Sequence, residues 1–351
     1  MTDSSRETRK KLIRAIERAR GSKVICYLTS LRQNTFAQMS EDGVRQIMEL
    51  LLGIKNRPVA KLDLFLCSNG GNAVVPWRLV ALFREYATEF NVLIPYRAYS
   101  AATILSLGAD NIVMHPFAEL GPIDPTVAND YNPQDASGRR IGISVEDVAA
   151  YVTFVKSTVG ITEQAQLVKA LEMLGDKVHP LALGNVERFL QQSRMVGKKI
   201  LKTHMTEPEH DATISEIIEN LASKLFFHGH PINRREARDQ LQLKVIDADA
   251  ALESTMWQLY VAYEQEFKNL ETYNPLALLN AAKYAAAASG TPPGTPLPPV
   301  MVDLAHAVVE DAVQARWYRS KRAYSEIVMP TPTGMLMPQV KEEMLTEGWE
   351  P

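Results

Sequence analysis

The run Leu62-Asp63-Leu64-Phe65-Leu66-Cys67-Ser68-Asn69-Gly70-Gly71 decides the fold, together with Val92-Leu93-Ile94-Pro95 and Tyr99-Ser100-Ala101-Ala102-Thr103 further on. In each case an apolar stretch ends in a turn of small residues that opens a helical pattern, over 74–90 after the first turn and over 101–107 after the second. The strands are continuously apolar rather than alternating, which fits a sheet covered on both faces. Strands alternating with helices predict parallel βαβ units with right-handed crossovers. In such sheets ligands bind beyond the carboxyl ends of the strands, where both turns fall. A paired glycine there offers backbone N–H groups with no Cβ in the way, and the second turn offers a hydroxyl. That combination can hold an oxyanion and a nucleophile side by side. Asn111-Ile112-Val113-Met114 reads as a fourth strand, and Leu120-Gly121-Pro122-Ile123-Asp124-Pro125 closes the stretch.

On the N-terminal side, residues 6–20 read as a charged helix stopped by Gly21, and Val24-Ile25-Cys26-Tyr27-Leu28 as a short buried strand. Ser40-Glu41-Asp42-Gly43 looks like an N-cap with acids in the first turn, ahead of a helix carrying Val44, Ile47, Met48, Leu51 and Leu52. On the C-terminal side, residues 129–140 are a polar loop. Helices are then expected over 144–159, 162–174, 185–204, 214–225 and 234–241, with Val245-Ile246 as a last short strand. Residues 251–266 read as a helix, 280–288 are Ala-rich, and 289–299 form a Pro/Gly linker. Residues 302–324 read as one more helix before a Pro-rich tail over 330–351. The organisation expected is an N-terminal helix (1–20), an α/β domain (21–250) and a helical, Pro-rich extension (251–351).

The composition narrows the function. The 351 residues carry a formal charge of −3, which provides no electrostatic footprint for nucleic acid. Cys26 and Cys67 sit in apolar strands and read as buried free thiols in a reducing compartment. No Cys/His spacing suits a metal, and no GxxxxGK[ST] or GxGxxG motif occurs, so no metal and no cofactor is expected. No signal peptide is visible, and no apolar run is long enough to span a bilayer. These features point to a cytoplasmic protein. The first helix, basic on one side with Leu12, Ile13 and Ile16 on the other, leaves peripheral membrane attachment open against simple docking on the core.

The pieces Ser68-Asn69-Gly70-Gly71, Ala98-Tyr99-Ser100-Ala101-Ala102-Thr103, Ala109-Asp110-Asn111-Ile112-Val113-Met114 and Leu120-Gly121-Pro122-Ile123-Asp124-Pro125 together resemble the Clp-protease/crotonase superfamily. Within it the chain looks most like the serine dehydrogenase proteinase (SDH-type) family, related to signal peptide peptidase A. The likeness covers roughly residues 20–250, and Leu241-Gln242-Leu243-Lys244-Val245-Ile246 fits the strand that closes the core in relatives. It implies an α/β spiral of ββα units with a helical C-terminal extension. It also implies a serine peptidase with Ser100 as nucleophile, an oxyanion hole from Gly70 or Gly71 and Ala101, and a peptide or protein substrate, membrane-derived ones included. Homo-oligomers are a further implication.

The residues agree on the nucleophile: a hydroxyl at a strand-to-helix turn is exposed, and the N–H that follows is unpaired at a helix start. The general base is open. The position 25 residues beyond Ser100, where Clp proteases carry a histidine, holds Asp124-Pro125 instead. Signal peptide peptidases use a lysine ahead of a long helix, which Lys177-Val178-His179-Pro180 resembles. Lys156 is the alternative base, and Asp124 and His179 are candidate supporting groups. A lysine base requires burial to lower its pKa. Two other functions stay in view: a crotonase-like acyl-CoA thioester enzyme, which uses paired N–H donors without Ser100, and an inactive Clp-fold scaffold. Ser68 is expected to shape its turn, Asp110 to pair locally, and Trp257, Tyr260 and Tyr263 to pack as core. His228-Gly229-His230 lacks a third ligand nearby and reads as a turn.

Overall fold

The computed structural model describes residues 3–35, 37–123, 126–127, 129–135, 138, 140–224, 230–292, 295–330 and 335–351. The chain opens with α1 (Asp3–Arg20), β1 (Lys23–Thr29), α2 (Glu41–Leu52), β2 (Val59–Cys67), α3 (Val75–Tyr86) and β3 (Ala87–Ile94). The turn region holds β4 (Arg97–Ala98), α4 (Ala101–Ser106), β5 (Asn111–Met114) and β6 (Glu119–Leu120). A two-stranded ribbon, β7 (Thr126–Val127) and β8 (Ile143–Ser144), precedes a helical stretch. That stretch contains α5 (Val145–Thr153), continuing as a π-turn over Phe154–Thr158, then α6 (Gln164–Gly175), α7 (Pro180–Leu201) and α8 (His210–Glu219). After β9 (Ile232–Asn233), α9 (Arg234–Asp239) and β10 (Val245–Ile246) come α10 (Ala250–Phe267) and α11 (Pro275–Ala288). Three long strands finish the chain: β11 (Val300–Glu310), β12 (Ala315–Pro330) and β13 (Leu336–Glu350).

The main sheet has eight strands in the order β10-β5-β3-β2-β1-β11-β12-β13. The first five run parallel, and the last three join antiparallel. Side-chain alternation explains why the parallel strands are apolar throughout. Leu62, Leu64 and Leu66 of β2 enter the core under α2, α3, α4, α7 and α8, whereas Phe65 and Cys67 enter the core under α1 and α10. In β1, Ile25 and Tyr27 take the first side, and Val24, Cys26 and Leu28 the second. Both cysteines are buried and free, as their setting predicts. A second, three-stranded sheet of β4, β6 and β9 stands beyond the carboxyl ends of the main strands and carries the turn at Ser100.

Three expectations are corrected, one of them the Pro-rich tail over 330–351, where Leu336–Glu350 forms β13 against β12. The helix expected over 74–90 stops at Tyr86, and β3 starts at Ala87, which is extended and pairs with Val59. The largest correction concerns residues 302–324, expected as helix: they form β11, a turn and much of β12, so the extension is helical only through α10 and α11. The turn contains no Gly or Pro and was therefore invisible as punctuation. Asp311 makes it instead, its Oδ1 accepting the N–H groups of Val313 and Gln314, both at 2.7 Å.

The antiparallel strands are tied to the rest through a buried charge. Arg9 of α1 is fully buried; its Nε donates to Glu310 Oε2 of β11 at 2.9 Å, and its guanidinium lies 5.3 Å from the rings of both Tyr263 and Trp317. Arg6 makes a second ion pair to Glu310. Removing one partner of a buried pair strands the other charge, so this clamp fixes α1, α10 and β11 to one another.

Candidate active site

Ser100 sits where β4 gives way to α4, half-buried, with φ 51° and ψ −115°. A residue with a Cβ rarely adopts that backbone, and holding it there costs on the order of 1–3 kcal/mol. The neighbours impose it. Ser68 N–H donates to Arg97 O and Tyr99 N–H to Ser68 O, both at 2.9 Å, so the chain before Ser100 is stitched to the end of β2. Thr103 Oγ1 lies 2.7 Å from Ala98 O and 2.8 Å from Gly121 O, stapling the first turn of α4 to two strands. The Tyr99 ring packs on Gly121, where an added Cβ would fall 2.7 Å from Tyr99 Cγ. Arg97 lies over the rings of Tyr96 and Tyr99 and donates to Glu119 at 2.9 Å. The Leu120-Gly121-Pro122 motif therefore acts by supporting the Ser100 turn.

The glycine pair faces this turn. Gly70 has φ +100°, and a Cβ there would lie 2.7 Å from Tyr99 O, 2.8 Å from Ser100 Cβ and 3.0 Å from Ala101 N. Gly71 is pressed against Met39, whose O and N would be 2.3 and 2.5 Å from an added Cβ. The two amides differ in availability. Gly70 N–H donates to Ser68 Oγ at 3.0 Å, which confirms the turn-shaping role of Ser68. Among the described residues, nothing accepts from Gly71 N–H or Ala101 N–H. The hole expected from Gly70 or Gly71 with Ala101 thus has two unengaged donors in the structure, Gly71 and Ala101.

A cavity of about 410 Å³ opens beside Ser100, lined by Asn69, Gly71, Asn72 and Ala101 and closed by Phe189, Gln192 and Ser193 of α7. Its walls hold amides and hydroxyls, and none of its described lining residues is an acid, lysine or histidine. The α7 wall carried no signal in the sequence: Phe189, Gln192 and Ser193 are ordinary residues of an amphipathic helix, brought here only by packing. Neither Lys177 nor Lys156 lines this cavity. Lys177 is exposed in the turn between α6 and α7, and Lys156 is exposed in the π-turn after α5. The start of α7 is roughly 18 Å along the helix axis from Gln192 at the standard rise per residue. His179 caps α7, accepting from Leu181 N–H at 3.2 Å and stacking on Tyr131 at 5.0 Å. Asp124 lies outside the described residues, as do His228 and Gly229, while His230 bonds Glu236 at 2.7 Å.

Asp110 pairs locally as expected, with Arg84 Nη1 at 2.6 Å and Phe90 N–H at 2.8 Å. Burial works against its charge, but these two partners outweigh burial and hold the carboxyl below its ordinary range. Among the described residues no group of three or more His, Cys, Asp or Glu could hold a metal, and no helix is long and apolar enough to cross a membrane.

The chain is 29% identical to the MJ1495 protein of Methanocaldococcus jannaschii over 126 residues, which is 34% of this chain and 42% of that protein. It is 33% identical to the MJ0137 protein of the same organism over 78 residues, 22% of this chain and 27% of that one. The chain thus spans less than half the length of either relative. Two solved structures of a membrane-bound stomatin-specific protease, one in complex with a substrate peptide, align at 14% and 15% identity and a TM-score of 0.35 each. They cover 65% and 66% of this chain, and 81% and 78% of theirs; at that overlap the likeness carries no argument about chemistry. Residues 1–137, which hold α1 to β7, the glycine pair and Ser100, match the family of ClpP-like SDH-type serine proteinases, and the α/β fold to which they contribute is ClpP-like.

Proposed function

We propose that the protein is a serine endopeptidase that uses a Ser/Lys dyad. The observation that supports this reading is that Ser100, Gly71 and Ala101 line one cavity, with the Gly71 and Ala101 N–H groups unengaged among the described residues. Ser100 Oγ attacks the scissile carbonyl carbon and passes its proton to a lysine amine. The carbonyl oxygen becomes an oxyanion held by the two amides, a task in which one donor is worth about 3–4 kcal/mol elsewhere. Collapse breaks the C–N bond, the lysine returns the proton to the leaving amine, and water then releases the acyl group by the same route. The substrate is an extended peptide, and assembly into homo-oligomers is part of the reading.

Lys177 is the preferred base and Lys156 the second. Either needs the α5–α7 segment to be carried over the Ser100 cavity. Moving α6 costs little apolar burial, because it has no buried residue and leaves Val168, Leu171 and Met173 exposed, whereas α7 is anchored in the core by Val196, Ile200 and Leu201. Hydrolysis of a peptide library by wild type, Lys177→Ala and Lys156→Ala tests the assignment. The expected result is a fall in kcat at steady KM for Lys177→Ala alone; equal activity of all three removes both lysines from the mechanism.

A second reading, a Clp-fold scaffold that does not hydrolyse peptides, is favoured by the lack of an acid, lysine or histidine among the cavity's described lining residues. It predicts no turnover and unchanged assembly in Ser100→Ala.

A further inference from the structure

We propose that a second cavity, at the C-terminal end of α4, binds a small molecule through a phosphate or carboxylate group. The cavity measures about 330 Å³ and is walled by Ser106, Asp110, His204, His210, Gln242 and Lys244 among apolar side chains. That size is at the lower end of small-molecule sites, roughly 300–1,000 Å³, and exceeds what a bare ion needs.

The polar wall is rich in donors and poor in acceptors. The Lys244 ammonium has no carboxylate partner among the described residues. The Nδ1 atoms of His204 and His210 are both buried without a hydrogen-bond partner among the described residues. A neutral imidazole carries one N–H, and a buried nitrogen with no acceptor is the poorer place for it. In His204 that leaves Nε2 as the protonated atom, a donor for a ligand. Burial, with Arg84 next, pushes His204 down to about 4, so its ring is neutral at pH 7 and contributes a donor rather than a charge.

Several acceptors that could oppose an anion are already engaged. Asp110 Oδ2 accepts from both Arg84 Nη1 and the Phe90 N–H. The carbonyls of Thr103, Leu105 and Ser106 at the end of α4 take the N–H groups of Leu107, Gly108 and Ala109. His210 is the first residue of α8, a ten-residue helix, so the cavity wall includes a residue at the positive end of that helix. Asp211 in the same turn is drawn away by Lys202 at 2.9 Å. A cation–donor pocket of this kind recognises oxyanions through charge-assisted hydrogen bonds.

The test is independent of any peptidase activity and can be run in the Ser100→Ala background. Inorganic phosphate and acetate are each titrated, at constant ionic strength, into the full chain carrying ¹⁵N-labelled histidine. The expected result is saturable movement of the His204 and His210 side-chain signals with at least one of the two, the tighter one naming the head group. Lys244→Met removes an exposed charge and should weaken that binding about tenfold. His210→Gln should weaken it as well while the fold is retained. Histidine signals that do not move with either anion, or equal affinity in wild type and Lys244→Met, would overturn the proposal.

Discussion

The two ends of α4 are built on opposite plans. At its N-terminus, the Ser100 cavity holds a strained hydroxyl and backbone amides, with no acid, lysine or histidine among its described walls. At its C-terminus, six residues later, Asp110, His204, His210 and Lys244 gather around one space, with Arg84 paired to Asp110 behind it. The helix between them is fully buried from Ala101 to Ser106, so neither end is free to adapt alone. Chemistry made from backbone depends on turns and glycines. Chemistry made from side chains depends on what packing brings together. The two ends should therefore fail in different ways.

The largest expected effect separates them by function. Ser100→Ala should remove peptide hydrolysis, a loss on the order of 10⁴-fold or more, with thermal stability close to wild type. No substitution among the charged residues at the other end should approach that loss. A His204 or Lys244 variant as inactive as Ser100→Ala would erase the division.

Gly70→Ala comes next. Its Cβ would meet Tyr99 O, Ser100 Cβ and Ala101 N at 3.0 Å or less, on a backbone with φ +100°. We expect a stability loss of about 2–4 kcal/mol in denaturant titration and loss of turnover even where folded protein is recovered. A folded, fully active Gly70→Ala protein would show that the glycine pair does not shape the serine turn.

The charged end should announce itself through pH. Burial first, then Arg84, lowers His204 from 6.5 to about 4. Between those values the unfolded chain binds more protons than the native one, so stability present above pH 6.5 should be lost as pH falls toward 4. His204→Gln should flatten that slope in urea titrations at pH 4.5 and 7. An unchanged slope would mean that the ring is protonated in place.

The smallest effect concerns strain, which both ends contain: Ser100 has φ 51° and Gln242 has φ 54°. Ser100→Gly and Gln242→Gly should each be neutral or stabilising by up to about 1 kcal/mol, because glycine tolerates positive φ. A loss of more than that at either position would indicate that the side chain, not the backbone, holds the turn.

The backbone end was legible in the sequence, because a glycine pair, a small-residue turn and apolar strands all lie within one short stretch. Ser100, Ala101 and the five parallel strands are all readable from the residues. The availability of Gly71 rather than Gly70 is not, since it turns on where one Ser68 hydroxyl points. The charged end was illegible: its side chains come from α3, the turn before β5, the α7–α8 connection and the turn before β10, and no spacing links them. The α7 wall of the serine cavity was hidden for the same reason. The C-terminal strands differ from the helix expected because Ala-rich segments around an Asp-made turn lack a Gly or Pro breaker, and their strand-forming valines carry the contrary signal. Pairing makes them strand: β11 with β1, through Cys26 to Thr29 against Ala307 to Glu310, and then β12 with β11 and β13 with β12.

The central claim is that Ser100 is an activated nucleophile between two aimed amides. Incubation of the full chain with a fluorophosphonate, followed by peptide mass spectrometry, tests it most directly. The account predicts one stoichiometric adduct, on Ser100, absent from Ser100→Ala and slowed in Lys177→Ala. An unlabelled Ser100 in folded protein, or an adduct that persists in Ser100→Ala, would contradict it.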